Sequence, residues 1–437
     1  MSELAIKGGT RTVPEGMIQP WPWIDEDDKK AVMAALDKAT PWRYPYEEIT
    51  ALEQEWAAFC GTKHALACNS GTASLHMAVA AAGVGAGDEV LVPAFTFLAS
   101  ASCVLHSNGI PIFVDIEPNT CCIDYKKIEE RINEKTKAIV CVDIHGMPCD
   151  YDEIHEIAAK HSLKVIEDGA QAHGSVYKGR QVGSLGDAAG CSLNGSKNLS
   201  ALAEGGLFST DDDEMADLAG RVRMFGEYVT PGEQRKYNSY MMGWNYRTDP
   251  LQSAFARSQL RRLPALTEAR QKNCQYLDER LSKLPGILVQ EVPADRTHSY
   301  FFYVFRVQPY KDGIDIPVWA YRDALAEALS AEGTPTQRWQ HYTIPEQTLF
   351  QFRDAYGQGC PWSCKFARPG ITYDGAEYPE AKRLIDEFLC MGHSTGGLGA
   401  PNDLELMKLY ADSYEKILVD NQAEFLAMAQ EKAAAAM

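Results

Sequence analysis

The sequence predicts an α/β fold: a mostly parallel central sheet flanked by helices, followed by a smaller C-terminal α+β domain. Three observations carry this. From about residue 63, short apolar runs rich in Val, Ile and Phe alternate with longer amphipathic segments, which is the pattern of βαβ units. A long polar helical stretch over 251–286 leads into a β-rich run and then another helix. With 437 residues and 45% hydrophobic content, the chain can bury a sizeable core divided among two or three domains.

Taken in order, "TASLHMAVAAAG" (72–83) predicts a helix, "DEVLVPAFTF" (88–97) a strand, "LASASCVLHSNG" (98–109) a helix and "IPIFVDI" (110–116) a strand. The strand "KAIVCVDIHG" (137–146) precedes the helix "DYDEIHEIAAKHS" (150–162), and "LKVIEDGA" (163–170) is the next strand. "AAGCSL" (188–193) and "GGLFST" (205–210) are short ones. Nearly continuous apolar runs suit a parallel sheet with helices on both faces, and ligands gather at the carboxyl ends of its strands. Residues 1–263 are read as this large domain with an N-terminal arm, and 264–437 as the smaller domain, hinged on the long helix. Within the latter, "HSYFFYVFRVQP" (298–309) is β-rich and "VWAYRDALAEALSAEG" (318–333) helical. Residues 342–379, dense in aromatics, Pro and Gly without a period, form a long covering loop, and "EKAAAAM" closes the chain as a helical tail. No internal repeat is visible.

The net charge of -18 excludes a duplex nucleic acid or a membrane surface as partner, because both demand a surplus of Lys and Arg. No apolar run approaches the roughly 18 residues of a membrane span, and the start "MSELAIKGGTRTVPEG" lacks a basic segment followed by an apolar one. The expectation is a cytoplasmic protein whose 12 cysteines are reduced and mostly buried. Cys360 and Cys364 are close enough to share a metal, but no second Cys/His pair accompanies them. Arg221, Arg223 and Arg247 are candidates for a small basic pocket, with surface ion pairing as the alternative.

Chemistry concentrates in "CSLNGSKNLSALAEGG" (191–206), where Lys197 stands among Gly, Ser, Asn and Ala that could hardly pack a core. A solvated turn is one reading. A P-loop is another, but Ser196 intrudes before Lys197 and Asn198 stands where the magnesium-binding hydroxyl belongs. The third is a Schiff base with pyridoxal 5'-phosphate, which demands a carboxylate to keep the ring nitrogen protonated. Asp168 ends the strand "LKVIED", 29 residues earlier with one further strand between, so both side chains would emerge at one sheet edge; a turn-forming role for Asp168 remains open. A phosphate handle is available at Gly71 and Thr72, where "SGTASL" opens a helix, although a plain N-cap has the same appearance. Phe97 of "PAFTF" could stack on a ring or belong to the core.

"SGTASL", "PAFTF", "IEDGAQAHG", "GRQVGSLGDAAGCSLNGSKNLSALAEGG" and "GWNYRTDPLQSAFARSQL" together resemble the DegT/StrS-type sugar aminotransferases, from about residue 5 to 345. That resemblance implies the pyridoxal-phosphate transferase fold of type I and a ping-pong transaminase working through an internal aldimine at Lys197, which would also shuttle the proton. It implies that Asp168 pairs with the pyridine nitrogen and that Gln171 bonds near the ring hydroxyl. Gly71, Thr72 and Ser192 would hold the phosphate, Phe97 would cover the ring, and Asn245 would reach the phosphate from the partner subunit of a homodimer with shared sites. His173 has a structural reading beside a functional one.

Many relatives acting on nucleotide-linked sugars read S-F-H-P-[ST]-K, where this chain has Ser192-Leu193-Asn194-Gly195-Ser196-Lys197. Its opening "LAIKGGTRTVPEGMIQPWPWIDEDD" resembles the branch that aminates keto-cyclitols from glutamine or glutamate. "TPWRYPY" (40–46) replaces the usual glycine after the first helix and would border the substrate. The resulting expectation is transfer from L-glutamine or L-glutamate to a keto-cyclitol or keto-sugar. The alternatives are an aminotransferase for nucleotide-linked keto-deoxy sugars, a pyridoxal-phosphate sugar dehydratase, whose lysine is replaced by histidine, and a non-catalytic ligand-binding regulator. Trp339, His341, Tyr342 and Trp362 are expected to shape the acceptor pocket.

Overall fold

The computed structural model describes residues 3–38, 46–228 and 234–435. Two helices, α1 (Glu26–Asp37) and α2 (Glu47–Cys60), precede β1 (His64–Cys68), α3 (Gly71–Ala81), β2 (Glu89–Pro93), α4 (Ala99–His106) and β3 (Ile110–Val114). There follow β4 (Thr136–Val142), α5 (Tyr151–His161), β5 (Lys164–Asp168), a hairpin of β6 (Val176–Tyr177) and β7 (Arg180–Gln181), β8 (Ala188–Ser192), β9 (Gly206–Thr210) and α6 (Asp213–Arg223). These build a seven-stranded sheet in the order β1-β9-β8-β5-β4-β2-β3. β3, β2, β4, β5 and β8 run parallel, and β9 is antiparallel to both β8 and β1. The strands β2, β3 and β8 are buried throughout, as a sheet covered on both faces requires.

Then come α7 (Pro250–Leu281), β10 (Ile287–Val289), β11 (Phe302–Val307), α8 (Val318–Glu332), α9 (Thr348–Phe352), α10 (Pro379–Glu387), β12 (Phe388–Gly392), the short α11 (His393–Gly396), α12 (Leu404–Glu415) and α13 (Gln422–Ala435). β10, β11 and β12 form a three-stranded antiparallel sheet. Its core gathers Leu325 and Leu329 of α8, Tyr410 and Tyr414 of α12 and Phe425 of α13. The first and last strands of the large sheet bear on the opening alternation: β1, "HALAC", escapes a reading based on β-branched runs because it is built of Ala, Cys and Leu.

Pro264 lies inside α7, whose N-cap Asp249 accepts from Leu251 N at 2.8 Å and whose first residue is Pro250. Leu4 and Val13 of the N-terminal arm join the core of the small sheet, where Glu332 accepts from Ala5 N at 2.8 Å and Thr12 Oγ1 at 2.7 Å and pairs with Lys416 Nζ at 2.8 Å. Conversely, the covering segment packs into the core of the large sheet. Phe350, Tyr373 and Tyr378 meet Phe113 with ring centroids 5.0, 5.4 and 6.3 Å apart, and Tyr373 OH donates to Pro111 O at 2.9 Å. It therefore caps β3, an edge strand whose open ladder would otherwise invite pairing. Trp362, expected in the acceptor pocket, belongs to this cap: its Nε1 donates to Tyr373 OH at 2.7 Å. Among the described residues no helix is long and apolar enough to cross a membrane.

Candidate active site

β5 and β8 are parallel neighbours, with Asp168 opposite Gly190, so Asp168 and Ser192 close the carboxyl ends of adjacent strands. The turn after β8 returns the chain over that edge. Asn194 organises it: its Oδ1 accepts from Ser196 N at 3.0 Å and Ser196 Oγ at 2.9 Å, its Nδ2 donates to Glu204 at 2.7 Å, and its carbonyl accepts from Lys197 N at 2.8 Å. A short amide that bonds its own backbone does this better than an imidazole.

Lys197 is half-buried, with Nζ 4.2 Å from the Phe301 ring centroid. Burial lowers its amine to about 8, against the opposing pull of Asp168 and then Glu204. Asp168 is buried. Ser100 Oγ donates to its Oδ2 at 2.6 Å and Ala170 N to its Oδ1 at 3.2 Å. Burial raises its carboxyl, while Ser100, Ala170 and Lys197 oppose that rise. An amine and a carboxylate that hold each other's charge at a strand edge can bond a carbonyl and anchor a proton on a heterocycle.

Gly71 opens α3 behind the N-cap Ser70, whose Oγ accepts from Ala73 N at 3.1 Å. A Cβ on Gly71 would come within 2.6 Å of Ser192 Cβ, so glycine is required for α3 to abut β8. Gly71, Thr72 and Ser192 thereby share one corner, where the first amides of α3 face the helix's positive end. Gln171 is buried and accepts from His145 N at 2.7 Å through Oε1, which leaves Nε2 as its donor. That bond holds His145 in the left-handed region (φ 61°). Phe97 is 55% exposed, so it stands clear of the core; the buried aromatic of "PAFTF" is Phe95, packed on His145 and Trp339. Asn245 is exposed; its Oδ1 accepts from Arg247 Nε at 2.9 Å and its carbonyl from Asn69 Nδ2 at 3.3 Å. His173 is fully buried against Trp56, and burial lowers its imidazole to about 3.

Arg221 pairs with Asp217, and Arg223 donates to Glu53 at 2.5 Å and Ala67 O at 2.8 Å, which favours the ion-pair reading for both. Cys360 and Cys364 are half-buried free thiols, and among the described residues no group of three His, Cys, Asp or Glu could hold a metal ion. Of the stretch "TPWRYPY", residues 40–45 lie outside the described residues.

Several neighbours of Lys197 carry no sequence signal. Trp21 Nε1, from the arm, donates to the Lys197 carbonyl at 3.1 Å, and its ring meets His393 edge-on at 4.1 Å. Asn198 Nδ2 donates to Ser299 O at 3.0 Å, and so does Arg270 Nε at 2.7 Å. These contacts link residues far apart in sequence, and neither periodicity nor motif spacing could have paired them.

The model of the DegT/DnrJ/EryC1/StrS aminotransferase family matches residues 22–372. That span extends past residue 345, where the sequence resemblance stops. The GDP-perosamine synthase of Caulobacter vibrioides is 37% identical over 289 residues, covering 65% of this chain and 76% of that protein. The L-glutamine:scyllo-inosose aminotransferase of Streptomyces griseus is 34% identical over 351 residues, 77% and 81% of the two chains. Among solved structures, 3-amino-5-hydroxybenzoic acid synthase superposes with a TM-score of 0.79 at 25% identity, over 93% of this chain and 100% of that one.

Proposed function

Because this chain belongs to the DegT/DnrJ/EryC1/StrS aminotransferase family, we propose that it moves an amino group from L-glutamine or L-glutamate to the carbonyl of a keto-cyclitol or keto-sugar, with pyridoxal 5'-phosphate bound at Lys197. The observation that carries this reading is a lysine amine lowered to about 8 beside a buried carboxylate at one strand edge. The Gly71 to Ser192 corner suits the phosphate, since it offers helix amides and a hydroxyl with no side chain in the way.

Bound there, the cofactor supplies an electrophilic carbonyl and an electron sink for the substrate carbon. Lys197 Nζ, lowered to about 8 by burial, would hold the group covalently and would move the proton at the reacting carbons. Asp168 would face the proton of the ring nitrogen, and Ser100 and Ala170, which donate to its carboxylate, oppose the rise that burial imposes. Gln171 Nε2 would bond the ring oxygen, Phe97 would cover the ring face, and Asn245 would reach the phosphate of the partner subunit in a homodimer. Retention of Lys197 disfavours a dehydratase, and a silent regulator has no use for Lys197, Asp168 and the phosphate corner together.

Borohydride treatment of the purified yellow protein tests the reading: the expected product is a colourless protein with added mass on the Lys197 peptide, and an unmodified Lys197 would overturn it. Incubation with glutamine and either scyllo-inosose or a GDP-linked keto-sugar separates the two acceptor classes, since the Caulobacter relative is named for a GDP-sugar and the Streptomyces relative for an inosose.

A further inference from the structure

A cavity of about 280 Å³ is lined by Gln271, Gln275, Asp278, Gln290, Arg296 and Tyr300 among others. It is at the lower end of small-molecule sites, which run from about 300 Å³ upward, so it accommodates a single ring. Its chemistry is lopsided. Asp278 accepts from Tyr300 OH at 3.2 Å, also faces the Tyr303 hydroxyl, and has no cationic partner among the described residues. Burial lifts its carboxyl to about 6, leaving it ionised at neutral pH. Gln271 and Gln290 direct their amide donors to His298 O at 3.1 Å and Thr120 O at 2.9 Å, so Gln271 offers the cavity its carbonyl. The cation in the lining, Arg296, is engaged by Asp150 and Asp295 at 2.7 and 2.8 Å. One wall is aromatic: Tyr300 stacks on His298 with centroids 4.1 Å apart.

We propose that this cavity is a second binding site that takes a small polyhydroxylated primary amine, its ammonium on Asp278, its hydroxyls on Gln271 and Gln275 and its ring against Tyr300. An acceptor-rich cavity selects a donor-rich ligand. The product of amino transfer to a keto-cyclitol or keto-sugar belongs to that class, so the assignment of the ligand as a product-like amine rests on the function proposed above. The site has a route to the reaction. Tyr300 N donates to His298 Nδ1 at 2.7 Å, and the intervening Ser299 carbonyl is the acceptor for both Asn198 and Arg270. A ligand that shifts Tyr300 therefore bears on the residue after Lys197 and on Phe301 beneath its amine.

The test is titration calorimetry of D-glucosamine into the holoenzyme, with D-glucose and cyclohexylamine as single-feature controls. Glucosamine is expected to bind wild type, and to bind Asp278→Asn and Gln275→Trp at least tenfold more weakly; the first variant keeps the tyrosine hydrogen bond and the second fills the mouth from an exposed position. Equal binding to wild type and both variants would overturn the proposal, as would no binding to wild type, controls that bind as tightly, or binding lost in Lys197→Ala, which would move the amine to the catalytic cleft. Amino transfer assayed on the same wild-type preparation separates the two claims: active enzyme that ignores glucosamine sinks the cavity alone, whereas binding without any transfer sinks the catalytic reading.

Discussion

At the residue scale, the environment of Lys197 makes its charge a burden on the fold. Its amine sits near 8 in the folded protein and at about 10.4 unfolded, so the unfolded state holds more protons between those values and stability rises with pH across that window. Below pH 8 the penalty is complete. We therefore expect cofactor-free Lys197→Met to melt above wild type at pH 7 and the gap to shrink towards pH 10; a variant that melts lower at pH 7 would contradict the burial argument. Lys197→Ala should lose amino transfer by at least about 100-fold, read as release of 2-keto acid, while remaining folded. Asp168→Asn should retain bound cofactor, visible as colour, but turn over about 100-fold more slowly, because an amide cannot anchor the ring proton. The positions of Lys197, Asp168 and Gly71 beside strand and helix ends could be read from the sequence, whereas Ser192 entered only through the family resemblance. Ser100 and Phe301 could not: a serine in a helix and a phenylalanine just before a strand look like ordinary occupants until the fold turns the first towards Asp168 and the second under Lys197.

At the scale of elements, a buried ion pair between Glu332 and Lys416 holds the arm through hydrogen bonds to Ala5, Thr10 and Thr12. Burial alone would raise Glu332, but Ala5 N, Lys416 and Thr12 together bring its carboxyl below the ordinary value. Its contribution is present above about pH 4.3 and lost as pH falls through the lowered value. Removing one partner leaves Lys416 buried and unpaired, so Glu332→Gln is expected to cost about 3–5 kcal/mol, measured by urea unfolding, and to expose residues 3–20 to protease first. Unchanged stability and an uncut arm would contradict this coupling. Most elements from α3 to β9, and α7, β11 and α8, could be read from alternation, whereas the short β6, β7 and β10 carry no such pattern. The arm's destination could not be read either, because Ala5 and Thr12 bond Glu332 more than 300 residues later, and no local pattern encodes such a contact.

At the scale of the whole molecule, the proposed assignment of Asn245 to the partner's phosphate has a direct consequence for subunit mixtures. Lys197→Ala and Asn245→Ala proteins, each defective alone, should regain activity when unfolded and refolded together, because a mixed dimer holds one site with both residues intact. Activity that stays at the level of the parents would place Asn245 within its own subunit's site. The same scale gives the contact between Trp21 and Lys197 a further meaning. The lysine's carbonyl is met by an indole from near the start of the chain, and that indole rests on His393, from near its end. On the ribosome, the surroundings of the nucleophile stay unfinished until synthesis has passed residue 393, so a prematurely terminated polypeptide can build the large sheet yet lacks the completed enclosure in which its lysine reacts.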